Sequence, residues 1–356
     1  MMLEWKDIWF YSMLLITIMI VLHIMSSTDY KNKIAPYYSP FIIPLFTLLI
    51  AFFFCNEEII IYSDKFMYEL DYIHAGQGYA LPEKDIGFYI YTKIIASFTN
   101  SSVWFFFITA ILYMMGYIIF ITRKIIPAYQ FILFVTILTS MGFYAYANNT
   151  LRAGLALSIF VTLLAQPYLL KPKTLVLLVI ILLIHKSLLL PIVGLALTIL
   201  YKRKDHYAAL WMVCLLLSLG AGSTFVTLFG SYFSFADERV MQYAAEGSTH
   251  YKTGFRWDFV IFSVLPLALA WYYRKKGYND PFYHQILSIY TICNAFWLLL
   301  IRMPFSDRLA TLSWFLIPVI IMYPLLTKRI FEKQHFWIAG VLLANMLITF
   351  TLNMKS

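Results

Sequence analysis

Apolar runs of about 20 residues alternate with short polar or charged segments along the whole chain. An α-helix of that length is long enough to cross the hydrocarbon core of a bilayer. Hydrophobic residues make up 62% of the 356 positions and charged residues only 13%, which excludes an ordinary soluble domain. The pattern predicts an all-α, polytopic integral membrane protein with residues 1–356 in a single transmembrane domain.

The predicted spans follow from the positions of these runs. Uninterrupted runs lie near 8–25, 38–55, 102–122, 127–145, 150–168, 207–228, 257–273, 282–301, 309–326 and 335–353. A further stretch, 174–200, is interrupted by His185 and Lys186, and as a single helix it would place the basic segment 202–204 outside. Two short spans that turn back near His185 keep the basic loops on one side. We therefore expect about twelve transmembrane helices, including this broken pair.

Positive charge is concentrated in the loops that this topology places inside. They hold 15 of the 27 lysines and arginines but only four of the 18 acids. The net charge of +9 therefore reports membrane orientation and is no argument for nucleic-acid binding. Both termini are then external, and two outer loops, Asn56–Ser101 and Phe229–Arg256, are longer than simple connections. Apolar residues at helical spacing between Ile86 and Phe98 predict a helix along the outer membrane surface.

Four arginines and one histidine interrupt the apolar pattern near the outer ends of spans, namely Arg152, His185, Arg256, Arg302 and Arg308. Charged groups are costly near hydrocarbon and usually mark a functional site, so we expect these residues to line one cationic chamber. Simpler roles exist. An arginine near a helix end can snorkel to the interface, and a buried histidine can be satisfied by its neighbours.

Three further charged residues accompany this set. Asp258 and Asp307 can form internal ion pairs with the neighbouring arginines, and Lys186 can be a snorkelling anchor. Two acids do not balance four arginines, so the surplus guanidinium groups call for an anion. A polyprenyl diphosphate matches both the charge and the forked geometry of arginine, and a structurally bound lipid headgroup would use the same residues.

The first outer loop supplies the acids Asp64, Glu69, Asp71, Glu83 and Asp85. Glu83-Lys84-Asp85 is an acid-x-acid pattern that some sites use for a metal. A solvated loop explains most of these carboxylates and a general base the rest, so we expect no metal and no cofactor. The sequence contains no motif for nucleotide hydrolysis, dinucleotide binding or hydrolase chemistry. Its three cysteines have no metal-ligand spacing.

The order of several short segments resembles the EpsG family of bacterial exopolysaccharide polymerases, which are related in role to Wzy-type O-antigen polymerases. The resemblance covers essentially the whole chain. It is carried by 62–68, 83–88, 149–152, 185–187, 254–258, 305–308 and 312–314. Two positions depart from the family pattern: Ala153 follows Arg152 where glutamine is common, and Lys65 follows Asp64 where tyrosine is common.

The resemblance implies an inner-membrane glycosyltransferase, similar to GT-C-type membrane enzymes, whose active site faces the periplasm. It would join polyprenyl-diphosphate-linked oligosaccharides, one as donor and one as acceptor, with a flippase and a chain-length regulator of the same pathway as further partners. We expect Arg152, Arg256, Arg302 and Arg308 to bind the leaving diphosphate. His185 is the first choice for the general base, followed by Asp64 and Asp85, with Asp258, Asp307 and Lys186 in support.

Three rival functions fit part of the pattern. An O-antigen-ligase-type transferase would use the same cations on a different acceptor. A flippase for lipid-linked sugars would also need a cationic cavity, but it should expose charge to both sides in turn. A membrane acyltransferase would explain a histidine in a span, although no other motif supports it.

Overall fold

The computed structural model describes residues 4–26, 35–61, 63–78, 85–166, 171–201, 204–233, 254–303 and 306–354. Within these ranges the regular structure is helical throughout, as predicted. In chain order, helices α1 to α16 span Trp5–Ser26, Ala35–Asn56, Asp64–Gly76, Ile86–Ala96, Ser102–Lys124, Pro127–Leu138, Phe143–Asn148, Leu151–Leu164, Pro172–Ile184, Leu189–Leu200, Lys204–Phe233, Trp257–Lys275, Pro281–Leu299, Ser306–Trp314, Ile317–Thr327 and Gln334–Met354. Outside the described residues lie the acid Glu83, residues 234–253 of the second outer loop, and four basic residues that the predicted topology places inside, Lys31, Lys33, Lys202 and Arg203.

Four helical stretches of the described chain are long and apolar enough to cross a membrane: Trp5–Ser26, Ser102–Lys124, Ser306–Thr327 and Gln334–Met354. Several of the other apolar runs form shorter helices of 10–17 residues. These helices indicate a membrane protein. The count of about twelve spans and the likeness to GT-C-type enzymes stay predictions.

The predicted span 127–145 is divided in the structure. The run 127–145 contains α6, which ends at Leu138, and the start of the short helix α7 at Phe143. Between them, the hydroxyls of Thr139 and Ser140 donate to carbonyl oxygens of α6. Such local side-chain bonds compete with helical backbone bonds, and apolar periodicity does not reveal them.

The first outer loop contains two helices. The predicted helix is present as α4, and it is preceded by α3, which was not predicted. Ser63 caps α3 by accepting a hydrogen bond from the backbone N–H of Phe66 at 3.2 Å. Ile90 and Ile94 of α4 are exposed. Its position along the outer membrane surface stays a prediction.

The stretch 174–200 is broken at the predicted place. Helix α9 ends at Ile184, His185 is extended, and a single 3₁₀ turn, Lys186–Leu188, precedes α10. The expected reversal of the chain at this break stays a prediction.

The helices group into two compact units. Unit 1 comprises Met1–Leu188 with Leu325–Ser356. Within it, α5 and α8 approach closely because Gly116 of α5 lies against Ser158 of α8. A Cβ added to Gly116 would be 2.1 Å from the carbonyl oxygen of Ser158. The Ser158 hydroxyl donates to Leu112 O at 2.6 Å and accepts from Gly116 N–H at 3.0 Å. The Ser158 hydroxyl therefore lies between the backbone N–H of Gly116 and the carbonyl oxygen of Leu112, two groups that would otherwise bond to each other within α5.

Unit 2 comprises Leu189–Pro324 and has a polar centre. The Asn294 amide donates to the hydroxyls of Ser263 and Ser313 at 3.1 and 3.0 Å, and its oxygen accepts from Trp211 at 2.7 Å. The Trp314 indole donates to Ser263 at 2.9 Å. Because these partners come from α11 to α14, one satisfied network fixes four helices to each other.

Candidate active site

Three of the residues predicted for the site meet in unit 1. Nη1 of Arg152 lies 2.9 Å from Oδ2 of Asp85, and Nδ1 of His185 lies 3.4 Å from the same oxygen. The Asp85 side chain is 11% exposed and that of Arg152 is 24% exposed, so the cluster is largely shielded from solvent. One carboxylate oxygen therefore joins the guanidinium to the imidazole.

The start of α4 brings Asp85 to this position. Asp85 precedes α4 with φ of 54°, and it is the one residue other than glycine that has positive φ among those described. Aspartate tolerates this left-handed conformation better than most residues. Two residues later, Gly87 lies against the backbone of α9, where an added Cβ would be 2.9 Å from the carbonyl carbon of Leu183. Only glycine permits this approach, which places Asp85 beside His185 at the end of α9.

A tight corner between α7 and α8 presents Arg152. Arg152 lies in the first turn of α8, and an added Cβ on Gly154 would be 2.4 Å from the carbonyl oxygen of Tyr146 in α7. The guanidinium carbon lies 5.7 Å from the ring centroid of Tyr68, a buried residue of α3. The Thr150 hydroxyl donates to Ala145 O instead of capping the first N–H groups of α8. Those groups and Arg152 give this corner a positive potential.

The electrostatics of Asp85 follow from its neighbours. Burial alone would raise the pKa of the Asp85 carboxyl. The hydrogen bond and electrostatic interaction with His185, together with the positive charges of Arg152 and Lys186, outweigh burial, so the pKa of Asp85 is lowered from the ordinary value. Asp85 is therefore ionised near neutral pH. A carboxylate at Nδ1 favours the tautomer whose Nε2 is free to accept a proton.

Lys186 and Asp64 are two further predicted residues that lie near this cluster. Lys186 follows His185 in the 3₁₀ turn and is close enough to contribute to the potential at Asp85. Asp64 opens α3 and lies one helical turn before Tyr68, on the same side of the helix. Glu83, the other half of the acid-x-acid pattern, lies outside the described residues.

The remaining predicted residues belong to unit 2. Arg256 forms a fork with Asp258, Nε to Oδ1 at 2.9 Å and Nη2 to Oδ2 at 2.6 Å. Its guanidinium also lies 3.7 Å from the ring centroid of Phe259. The contact between Arg256 and Asp258 is the internal ion pair that the sequence analysis gave as the simpler role of Asp258. Asp307 and Arg308 lie half-buried in the first turn of α14.

Arg302 is positioned by α11. Its side chain crosses Gly222, where an added Cβ would be 2.8 Å from Arg302 Nε, and its guanidinium carbon is 5.5 Å from the ring centroid of Phe255. Nε also points to the carbonyl oxygen of Ser218 at 3.4 Å. The predicted cations are thus divided between the two units, and a single chamber containing all of them stays a prediction.

Sequence reasoning assigned no role to several polar residues near Arg152. Tyr68 was part of the resemblance but not of the predicted site. Glu57, which accepts hydrogen bonds from Tyr144 and Asn148, was not considered. Glu57 follows the last residue of α2, Asn56, and an acid at the end of a span was the available signal.

Comparison with known proteins gives one result. The model of a family described as the EpsG family matches residues 40–356. Neither a curated protein nor a solved structure matches the chain.

Proposed function

Since the chain belongs to the EpsG family of Wzy-like exopolysaccharide polymerases, we propose that it joins oligosaccharide repeats carried on a polyprenyl diphosphate. The growing glycan would leave its lipid carrier and be attached to the next lipid-linked repeat. We place the reaction at the outer side of the bacterial inner membrane, where a flippase of the same pathway would deliver the substrate and a chain-length regulator would limit the product. The observation that supports this proposal best is the contact of Arg152 and His185 with the same oxygen of Asp85.

The proposed reaction is a glycosyl transfer with inversion. A hydroxyl oxygen of the acceptor sugar attacks the anomeric carbon of the donor, and the bond from that carbon to the diphosphate oxygen breaks. The diphosphate leaves with the bonding electron pair, and the hydroxyl proton passes to a general base. Because the carrier diphosphate is already an activated leaving group, the reaction needs neither ATP nor a sugar nucleotide.

Arg152 is the proposed diphosphate ligand. One of its terminal nitrogens binds Asp85, and its position in the first turn of α8 adds the positive end of the helix dipole. A fixed guanidinium that faces developing negative charge in a water-poor site contributes several kcal/mol to the transition state. Binding of the diphosphate by Arg256, Arg302 and Arg308 stays a prediction, and Arg256 is engaged in the fork with Asp258.

His185 is the proposed general base, with Asp85 as the residue that orients it. Asp85 is paired with Arg152 and hydrogen-bonded to His185, and its pKa is lowered, so it is a poor proton acceptor. It is well suited to hold Nδ1 of His185 and to leave Nε2 for the acceptor hydroxyl. This geometry favours His185 over Asp85 for the role of base, and Asp64 is the remaining alternative.

A reconstituted polymerisation assay tests this function. Purified protein is incubated with one defined lipid-linked repeat, and the product is separated by size. We expect a ladder with the wild type and a loss of about 100-fold with Arg152→Lys, because lysine keeps the charge but loses the fork. Arg123→Lys is the matched control, since Arg123 is exposed at the far end of α5 and should retain full activity.

The same assay separates the rival functions. A single transfer to an unrelated glycan acceptor, without a ladder, would indicate a ligase. Movement of the lipid-linked repeat across vesicles without any new glycosidic bond would indicate a flippase. Full activity of Arg152→Lys would remove Arg152 from the site and would contradict the proposed mechanism.

A further inference from the structure

A second polar cluster lies in unit 1 and includes Asn148, the last residue of α7 before the corner that leads to Arg152. Its centre is Glu57, which follows α2 directly. Oε1 of Glu57 accepts hydrogen bonds from the Tyr144 hydroxyl at 2.5 Å and from the Asn148 amide at 2.8 Å. Tyr144 and Asn148 are four residues apart, so they lie on one side of α7. One carboxylate oxygen therefore holds the helix that leads into α8.

The backbone of Glu57 holds a second element. The ammonium group of Lys65, a residue only 3% exposed, donates to the carbonyl oxygens of Glu57 and Phe54 at 2.9 and 2.7 Å. Phe54 belongs to the last turn of α2, so Lys65 also caps that helix. Lys65 lies one turn before Tyr68 in α3, and the ring of Tyr68 lies beside the Arg152 guanidinium.

Two routes therefore connect Glu57 to Arg152. One runs through Asn148 and the tight corner between α7 and α8, and the other runs through Lys65 and Tyr68. The charges in this cluster are also coupled. Burial raises the pKa of Glu57 and lowers that of Lys65 to about 8, and each group partly offsets the shift of the other. Oε2 of Glu57 is buried, so it is not accessible to substrate.

We propose that Glu57 is a positioning residue that fixes Arg152 in the direction that receives the diphosphate. The proposal rests on the proposed function because it assigns Glu57 no contact with substrate. Glu57 holds the α7–α8 corner through its acceptor oxygen and holds α3 through its backbone. A displacement of about 1 Å at a catalytic group can lower the rate about 100-fold. Two connections to Arg152 would limit such a displacement.

Two substitutions isolate the acceptor oxygen. Glu57→Leu removes it, and we expect the kcat of polymerisation to fall about 10- to 100-fold. Glu57→Gln keeps an oxygen for Tyr144 and Asn148, and it should recover most of that loss. Asp280→Leu is the matched control. Asp280 caps α13 in unit 2 by accepting a hydrogen bond from the backbone N–H of Tyr283 at 2.8 Å, so activity should stay within about twofold of the wild type.

A double-mutant cycle tests whether Glu57 acts through Arg152. If it does, Glu57→Leu should reduce kcat by less than about twofold in protein that already carries Arg152→Lys. An equal loss in both backgrounds would overturn the proposal, and so would Glu57→Gln being as impaired as Glu57→Leu. If Glu57→Leu does not give folded protein, Asn148→Leu removes one arm of the cluster and should show the same dependence on Arg152.

The cycle also separates this proposal from the proposed function. Full activity of Arg152→Lys alone would contradict both. Impaired Arg152→Lys combined with independent losses at Glu57 would contradict only the positioning role of Glu57.

Discussion

Replacing Asp85 separates the charge of its carboxylate from the backbone conformation that it adopts. Asp85→Asn keeps the shape of the side chain, and asparagine tolerates φ of 54° about as well as aspartate does. It removes the negative charge that faces Arg152 at 2.9 Å and His185 at 3.4 Å. Asp85→Ala removes the same charge and adds backbone strain.

The expected magnitudes follow from this geometry. A charge-assisted hydrogen bond contributes about 1.5–3 kcal/mol when its loss leaves the partner unpaired. The contact with His185 is long and adds little, so Asp85→Asn should lower the free energy of unfolding by about 2 kcal/mol. A left-handed alanine costs about 1–2 kcal/mol more. Asp85→Gly avoids that cost, so it should be more stable than Asp85→Ala by about 1 kcal/mol.

The pH dependence has a definite sign. Because the pKa of Asp85 is lowered in the folded protein, its carboxylate stabilises the fold above the ordinary pKa of about 3.9. That contribution is lost as the pH falls through the folded-state pKa. The stability difference between wild type and Asp85→Asn should therefore be full at pH 7 and should shrink in acid.

Thermal unfolding of the purified variants in detergent, followed by circular dichroism, measures these differences. Polymerisation measured on the same samples should fall about 100-fold in Asp85→Asn, because His185 and Arg152 lose their common partner. Equal stability of the wild type and Asp85→Asn at pH 7 would refute the ion pair. Equal stability of Asp85→Gly and Asp85→Ala would refute the left-handed conformation.

Three further predictions concern other parts of the protein. His185→Asn keeps a donor for Asp85 but cannot accept a proton. Steady-state kinetics should therefore show kcat reduced at least about 100-fold with KM nearly unchanged. An unchanged kcat would exclude His185 as the base. The folded-state pKa of Lys65 is lowered to about 8, so denaturation at a series of pH values should show stability rising from pH 8 to about 10.5, and Lys65→Met should lack that rise. In whole cells, an impermeant thiol reagent should label Gln77→Cys and should not label Lys275→Cys. The wild type is the control because its three cysteines, Cys55, Cys214 and Cys293, are buried. Labelling of Lys275→Cys would contradict the predicted topology.

The sequence predicted the residue types of the site because charge near hydrocarbon is costly and therefore conspicuous. It did not predict their partners. Arg152 is separated from Asp85 by 67 residues and His185 from Asp85 by 100 residues, and no local pattern connects positions so far apart. The contact depends on Gly87, whose missing side chain allows α4 to touch α9. A glycine in a helical run signals a close approach, but it does not say to what.

For the helices too, the sequence predicted some features and missed others. Periodicity predicted α4 from its apolar residues, and His185 with Lys186 predicted the break between α9 and α10. The division of 127–145 was missed because it depends on the hydroxyls of Thr139 and Ser140 bonding to nearby carbonyls. Glu57 was missed because a polar residue at the end of an apolar run is usual in a membrane protein. Its partners Tyr144 and Asn148 are distant in sequence and meet it only in the folded structure.

The central claim is that the cluster of Arg152, Asp85 and His185 transfers glycan from a lipid diphosphate. Its most direct test counts two products of one reaction with purified protein and a defined lipid-linked repeat in excess EDTA. We predict one polyprenyl diphosphate released for each glycosidic bond formed, at an undiminished rate in the chelator, because arginines rather than a metal stabilise the leaving group. Both products should fall together in His185→Asn and Arg152→Lys. Bond formation without diphosphate release, a requirement for a divalent ion, or full turnover by His185→Asn would contradict the claim.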